Sequence, residues 1–167
     1  MFHAFDTEPP GRPLDRAQWM ATLARAPLEL LEPALGAHAQ GTPQWLRAPE
    51  TGLVMVQGRG GGPGERFNLG EVTATRCALR RGEAGSAVGV AYVMGRSHRH
   101  AQLAAVADAL LQDPERQPAL DAQLLAPVRR HIQQLRARRQ ASAQSSKVEF
   151  FTVAREAGDA EGEDDSE

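Results

Sequence analysis

The stretch "GRGGGPGERF" at residues 58–67 places five glycines, one proline and two arginines in ten positions. Backbone N–H groups bared by glycines of this kind can converge on an anion. The flanking guanidiniums of Arg59 and Arg66 can close on the same charge. A second basic cluster, "GRSHRHA" at 95–101, sets Arg96, His98, Arg99 and His100 around an expected helix start. Cations there oppose the helix macrodipole by roughly 0.3–1 kcal/mol each. An anion held by the free N–H groups reverses the sign of that argument. The candidates for anion or substrate contact are therefore Arg59, Gly61, Gly62, Gly64, Arg66, Arg76, Arg96 and His100. Arg76 and Arg80 share one face of the strand between the clusters. The connecting strands are short and sequential, so the two clusters are expected to converge.

The glycine loop nevertheless fails the known phosphate fingerprints. It has no lysine for a Walker loop. In the dinucleotide pattern G-x-G-x-x-G, starts at Gly58, Gly60 or Gly62 meet Pro63, Glu65 or Phe67 where the last glycine belongs. The competing reading is a hairpin connection in which Gly60, Gly61, Gly62 and Gly64 supply positive φ and Arg66 pairs with Glu65 or Glu71. His100 falls on an apolar stripe and also reads as a core histidine with a satisfied hydrogen bond. His98 and His100 are two apart, which separates them on a helix. Without clustered carboxylates they make a poor zinc site. Ser97 lacks a nucleophile elbow. Cys77, the single cysteine, sits mid-strand among apolar neighbours, where a thiol is inert. No catalytic residue, metal ligand or cofactor is assigned to this chain.

The elements that must position these residues follow from periodicity. Asp15 is an expected N-cap for a helix carrying Trp19, Met20 and Leu23. Pro27 suits the first turn of a second helix with Leu28, Leu31 and Leu35 inward, ending near Gly36 and Gly41. "LVMV" at 53–56 reads as a short buried strand. "EVTATRCALR" at 71–80 alternates, with Thr73, Thr75, Cys77 and Leu79 on one face. Val88, Val90, Tyr92 and Met94 form one face of a third strand. A helix from about Ser97 ends before Asp113-Pro114. A longer one runs from about Leu120 to Arg139, started or kinked by Pro127, with Leu120, Leu124, Val128, Ile132 and Leu135 as its stripe. The fold class is α+β: a small antiparallel sheet packed with N-terminal and C-terminal helices, and a disordered acidic C-terminal tail. The expected organisation is a flexible N-terminus at 1–13, a single α+β domain at 14–139, a linker and partner-binding arm at 140–155, and the tail at 156–167. In that arm "QASAQSS" at 140–146 is the linker and "KVEFFTV" at 147–153 the apolar, strand-like segment.

Composition bounds the partners. The 167 residues suffice for one domain with a core of Ala, Leu and Val, because aromatics are only 5%. Seven of the 21 acids lie between Glu156 and Glu167, which holds no base; the other 155 residues carry 19 basic and 14 acidic side chains, a net of +5. That asymmetry favours anionic ligands or an acidic partner surface. It is too weak for a nucleic-acid binder. No run of 18 apolar residues is present, and the N-terminus lacks a signal-peptide pattern. A soluble, cytoplasmic protein with no membrane association is expected.

"ETGLVMVQGRGGGPGERFNLGEVTATRCALR" at 50–80, followed by "GRSHRHA" and by "ADALLQD" at 107–113, resembles the PhnG family, the G subunit of the carbon–phosphorus lyase core complex. The likeness extends from the "RAQWM" helix to "KVEFFTV", roughly residues 15 to 155. The glycines, Glu65, Arg66, Arg76, Arg96 and His100 match the family pattern. Pro63, Ser97 and Cys77 depart from it, standing where threonine, aspartate and alanine are usual. The resemblance implies assembly with H, I and J subunits, the I subunit most directly, for organic phosphonate catabolism. It implies a reaction in which a phosphonate displaces adenine from ATP, giving ribose 1-phosphonate 5-triphosphate, with ATP a substrate of the assembled complex. It implies that the I subunit carries the ribosyl-transfer site and that this chain is a required, non-catalytic companion. Two other readings stand beside it: a contributor to a shared site through Arg66, Arg76 and Arg96, and a free-standing anion-binding module. The apolar segment beyond the expected linker argues against the free-standing module, because such segments seek a partner.

Overall fold

The computed structural model describes residues 15–40, 43–60, 64–82 and 85–147. The expected flexible N-terminus, residues 148–155 of the arm and the acidic tail lie outside the described residues. In chain order the elements are α1 (Arg16–Leu23), α2 (Leu28–Leu35), a 3-10 turn (Ala37–Ala39), β1 (Gln44–Arg59), β2 (Arg66–Arg80), β3 (Val88–Met94), α3 (His98–Leu111), α4 (Gln117–Leu120), a π-type turn (Asp121–Leu125) and α5 (Ala126–Ser145). The strands form an antiparallel sheet in the order β1-β2-β3. The fold is α+β, as the periodicity predicts.

Local chemistry sets the first two helices. Asp15 enters α1 with extended backbone, and its N–H donates to the Gln18 side-chain carbonyl at 3.0 Å, one arm of a capping box. Pro27 caps α2, whose Leu31 and Leu35 are fully buried. Both helices pack on α3, which also packs on β2 and β3. Covered on several sides, α3 is buried almost throughout, from Leu103 to Leu111. That is the pattern of a helix apolar all round. Leu23, Leu31, Leu35, Leu79, Leu103 and Leu111 form the centre of the core, each contributing roughly 1.5–3 kcal/mol on burial.

One buried carboxylate ties these layers. Asp108, on α3, has no solvent exposure. Its Oδ1 accepts from Trp19 Nε1 at 2.8 Å and Arg16 Nε at 3.1 Å. Its Oδ2 accepts from Arg16 Nη2 at 2.7 Å, the Val90 N–H at 2.9 Å and Gln112 Nε2 at 3.4 Å. The hydrogen bond from Arg16 to Asp108 is the main reason the guanidinium holds its proton more firmly than usual. A buried charge with this many donors is satisfied.

Two expectations change and one acquires a direction. First, the "LVMV" stretch is not a short buried strand but the middle of a 16-residue strand, with Leu53, Val54 and Met55 exposed. Length explains this. β1 and β2 extend roughly 50 Å, whereas β3 spans roughly 23 Å and α3 about 21 Å. β3 pairs only with residues 74–80 of β2. Beyond Ala74 no third strand among the described residues pairs with the hairpin. Second, the outward-pointing residues of β3 include Val90, Tyr92 and Met94, while Gly89, Ala91 and Val93 face the core. α3 approaches so closely that a Cβ at Gly89 would lie 1.9 Å from the Ala105 carbonyl oxygen. Small residues therefore take the inner positions. Third, the helix expected to stop at Arg139 runs to Ser145, so residues 140–145, read as linker, are helical. Its outer half is exposed, Leu135 included.

Candidate functional site

The glycine loop is the tip of the β1–β2 hairpin, whose last pair is Arg59 with Arg66. Gly64 N–H donates to the Gly60 carbonyl at 3.1 Å, and Arg59 Nη1 donates to the Gly64 carbonyl at 3.4 Å. Gly61, Gly62 and Pro63 lie outside the described residues. Positive φ is not the reason for Gly60 or Gly64, since among the described glycines it occurs at Gly70, Gly82, Gly85 and Gly95. Gly64 is required by close approach, because a Cβ there would lie 2.0 Å from the Gly60 oxygen. Arg66 is exposed. No ion pair among the described residues joins it to Glu65 or Glu71.

The second cluster forms at the turn from β3 into α3. Gly95 takes φ +93°, a left-handed conformation that suits glycine alone. Its N–H donates to the Thr73 carbonyl at 2.8 Å. Thr75 Oγ1 donates to the Gly95 carbonyl at 2.7 Å, and Thr51 Oγ1 lies 3.0 Å from Thr75 Oγ1 and 3.2 Å from His98 Nε2. These contacts have one consistent polarity. The Thr75 proton goes to a carbonyl, so Thr75 must accept from Thr51. Thr51 has then spent its only proton and must accept from His98 Nε2–H. His98 is thereby fixed with a proton on Nε2, leaving Nδ1 to face other groups. Three separate motifs, "ETG" at 50–52, "TATR" at 73–76 and "GRSH" at 95–98, meet in this chain of hydrogen bonds.

Beside it, Glu50 and Arg76 are cross-strand partners joined at 2.6 Å, and Glu50 also accepts from Arg47 at 2.6 Å. Hydrogen bonds from Arg47 and then Arg76 hold the Glu50 carboxyl below its usual range. Hydrogen bonds to Glu50 and then Tyr92 raise the Arg76 guanidinium. A cleft of about 310 Å³ opens here, lined by residues including Glu50, Thr51, Val54, Arg76 and Tyr92.

The candidates read from sequence thus separate. Arg76 is committed to Glu50, and Arg59 reaches back to its own loop. His100 donates from Nε2 to the Leu23 carbonyl at 2.8 Å, pinning α3 to α1, as the core-histidine reading expects. Arg99 makes a two-pronged pair with Glu32 of α2, both distances 2.7 Å. Ser97 caps α3, accepting from the His100 N–H at 3.1 Å. Arg66 and Arg96 are exposed, and neither enters an ion pair among the described residues. The clusters do not converge. Arg66 is eight residues along β2 from Ala74, the partner of Met94, a separation of roughly 27 Å in extended chain.

Sequence reasoning missed the threonine–histidine chain and the Asp108 hub. The alternating threonines at 73 and 75 were the available signal for the former. Cys77 is buried, and burial pushes its thiol up to about 11. Among the described residues no group of histidine, cysteine and carboxylate side chains could hold a metal. No helix among them is long and apolar enough to cross a membrane. The arrangement can orient an imidazole and present guanidiniums, but it pairs no nucleophile with a base.

Residues 14–156 match the family model described as phosphonate metabolism protein PhnG. The chain is also 35% identical over 160 residues to a protein of Rhizobium meliloti (strain 1021) named alpha-D-ribose 1-methylphosphonate 5-triphosphate synthase subunit PhnG. That alignment covers 93% of this chain and 98% of the relative.

Proposed function

Because this chain belongs to the PhnG family of phosphonate metabolism proteins, we propose that it works as a subunit of a ribose 1-phosphonate 5-triphosphate synthase. Within that assembly it supplies binding surface rather than the reacting groups. The observation that carries this reading is the overhanging β1–β2 hairpin. Leu53 and Leu69 are 65% and 67% exposed there, Met55 and Phe67 about half, and Met94 is 72% exposed on the adjoining strand. An apolar surface of this extent on an overhanging hairpin suits an interface and is a liability on a free-standing protein. It therefore disfavours the isolated anion-binding module.

The partners in this reading are the H, I and J subunits, with the I subunit the most direct. The assembled enzyme lets a phosphonate displace adenine from ATP. This chain needs no cofactor of its own and contributes no nucleophile. Among the described candidates, Arg66 and Arg96 are the two left able to meet an anionic substrate, each from a different place on the surface. The Glu50 carboxylate already answers Arg76.

Co-expression with the neighbouring subunits tests the proposal. Gel filtration and an adenine-release assay with ATP and methylphosphonate are run with each subunit omitted in turn. Leu53→Glu and Leu69→Glu should abolish co-purification while leaving the circular dichroism of the chain unchanged. Removing residues 147–167 should weaken association, and removing only 156–167 should not. In the intact assembly, Arg66→Ala or Arg96→Ala should raise the substrate requirement without loss of subunits. Adenine release by this chain alone refutes the accessory role. Full assembly of both hairpin variants refutes the hairpin as interface.

A further inference from the structure

At the end of the sheet remote from the hairpin tip, a separate pocket of about 370 Å³ forms where β2 ends. Arg81 and Gly82 meet the 3-10 turn (His38, Ala39), Pro43, the α3 residues Gln102 and Val106, and Arg116 before α4. No residue of the hairpin overhang or of the threonine–histidine chain lines it. We propose that this pocket binds a small oxyanion of the phosphate or phosphonate type bearing a short apolar substituent.

Charge comes first. The only ion pair among the described residues that reaches the pocket lining is Arg116 with Asp113 at 3.0 Å. Arg81 has none among those residues. Burial and then the nearby Arg116 charge push the Arg81 guanidinium down from its ordinary value. The two cations therefore lie close enough to repel, and among the described residues one ion-paired carboxylate, that of Asp113 on Arg116, answers the pair. An anion seated among them replaces repulsion by charge-assisted hydrogen bonds.

Donor geometry agrees. Gln102 uses its carbonyl oxygen to accept from Arg99 Nη1 at 3.3 Å, so the amide it has left for the pocket is a donor. The His38 imidazole adds a further N–H. The floor is apolar, made of Val106, Ala39 and Pro43. Cationic and amide donors above a small apolar floor fit a compact head with a methyl- or ethyl-sized body. The volume sits at the lower end for small-molecule sites, which span roughly 300–1,000 Å³.

The test uses the full-length chain, ¹⁵N-labelled and titrated at constant ionic strength with sodium phosphate, sodium methylphosphonate or sodium acetate. The reporters are the Gly82 backbone amide and the Gln102 side-chain amide. Saturable shifts with phosphate and methylphosphonate are expected, tighter with the latter and weaker with the singly charged acetate. Arg81→Gln and Arg116→Gln should each weaken binding about tenfold or more, the loss of one charge-assisted contact. Arg138→Gln, the same charge change on the exposed part of α5, should leave binding unaltered. If Arg81→Gln fails to fold, Arg116→Gln decides, since the Arg116 side chain is 58% exposed. Linear, unsaturated shifts, or equal weakening by Arg138→Gln, overturn the proposal. A response to phosphate that emerges only after truncation at Arg155 also overturns it, because the pocket is then held by the chain's own acidic tail.

Discussion

Asp108→Asn is nearly isosteric, yet it should be among the most damaging single substitutions in this chain. Whichever way the new amide is turned, its NH₂ faces donors. In one orientation these are Trp19 Nε1 and Arg16 Nε; in the other, the Val90 N–H and Arg16 Nη2. Each buried donor left unsatisfied costs about 1–3 kcal/mol. Breaking a fully buried ion pair costs about 3–5 kcal/mol, but the Arg16 side chain is 43% exposed and can turn to water. The expected loss is therefore about 2–4 kcal/mol, a large share of the roughly 5–15 kcal/mol that holds an ordinary domain. In urea, with a slope of about 1–3 kcal/mol per molar, the midpoint should fall by about 1–2 M. Trp19→Phe gives the internal comparison, since it removes one donor and keeps most of the ring, at a cost of about 1 kcal/mol. Unfolding of the full-length chain is followed by circular dichroism. If Asp108→Asn shifts the midpoint less than Trp19→Phe does, Asp108 is not the tie between α1, α3 and β3.

Gly89→Ala should lower stability by about 1–3 kcal/mol through overpacking against the Ala105 carbonyl, read as a drop in melting temperature; an unchanged value means that α3 can move away. Cys77, buried and with its thiol raised to about 11, should resist iodoacetamide at pH 8 until denaturant is added, as intact mass will show; rapid native labelling contradicts its place in the core. The hydrogen bond from Arg99 is the main cause that lowers the Glu32 carboxyl below its ordinary 4.5, so its stabilisation is present above that value and disappears as pH falls through the lowered one. Glu32→Gln should accordingly be less stable than the parent at pH 6 and converge with it toward pH 3; a constant difference across that range excludes the linkage.

Local signals located most elements. Asp15 and Pro27 announced the starts of α1 and α2, and the alternation of Thr73, Thr75, Cys77 and Leu79 located β2. Signals depending on what lies opposite were not legible. Gly89 and Ala91 look like weak strand residues until the α3 backbone is set against them, so the alternation defined two faces of β3 without saying which one turns inward. "LVMV" is apolar in any context, and only the shortness of β3 and α3 leaves it uncovered. Pro127 lacks the N–H that a regular helix needs, and the chain passes it as a π-type turn followed by α5. The candidate site was legible as composition but not as geometry. Arginines at 59, 66, 76 and 96 have the same chemistry in sequence, whereas partners 26 residues away (Glu50 for Arg76) or an unpaired surface decide which can meet a ligand. The Arg81 pocket draws on five stretches of chain, and no window of sequence contains it.

The Asp108 hub also sets an order of events during synthesis. Its donors Arg16 and Trp19 precede it by 92 and 89 residues, so a ribosome adding about 5–20 residues per second leaves α1 without its acceptor for roughly 5–20 s. The β1–β2 hairpin needs only sequence neighbours and can close within that interval. Its apolar sides therefore meet the crowded cell before the N-terminal helix has anywhere to dock. If the hairpin is the interface proposed above, a partner subunit made nearby could meet it on a nascent chain whose core is still open.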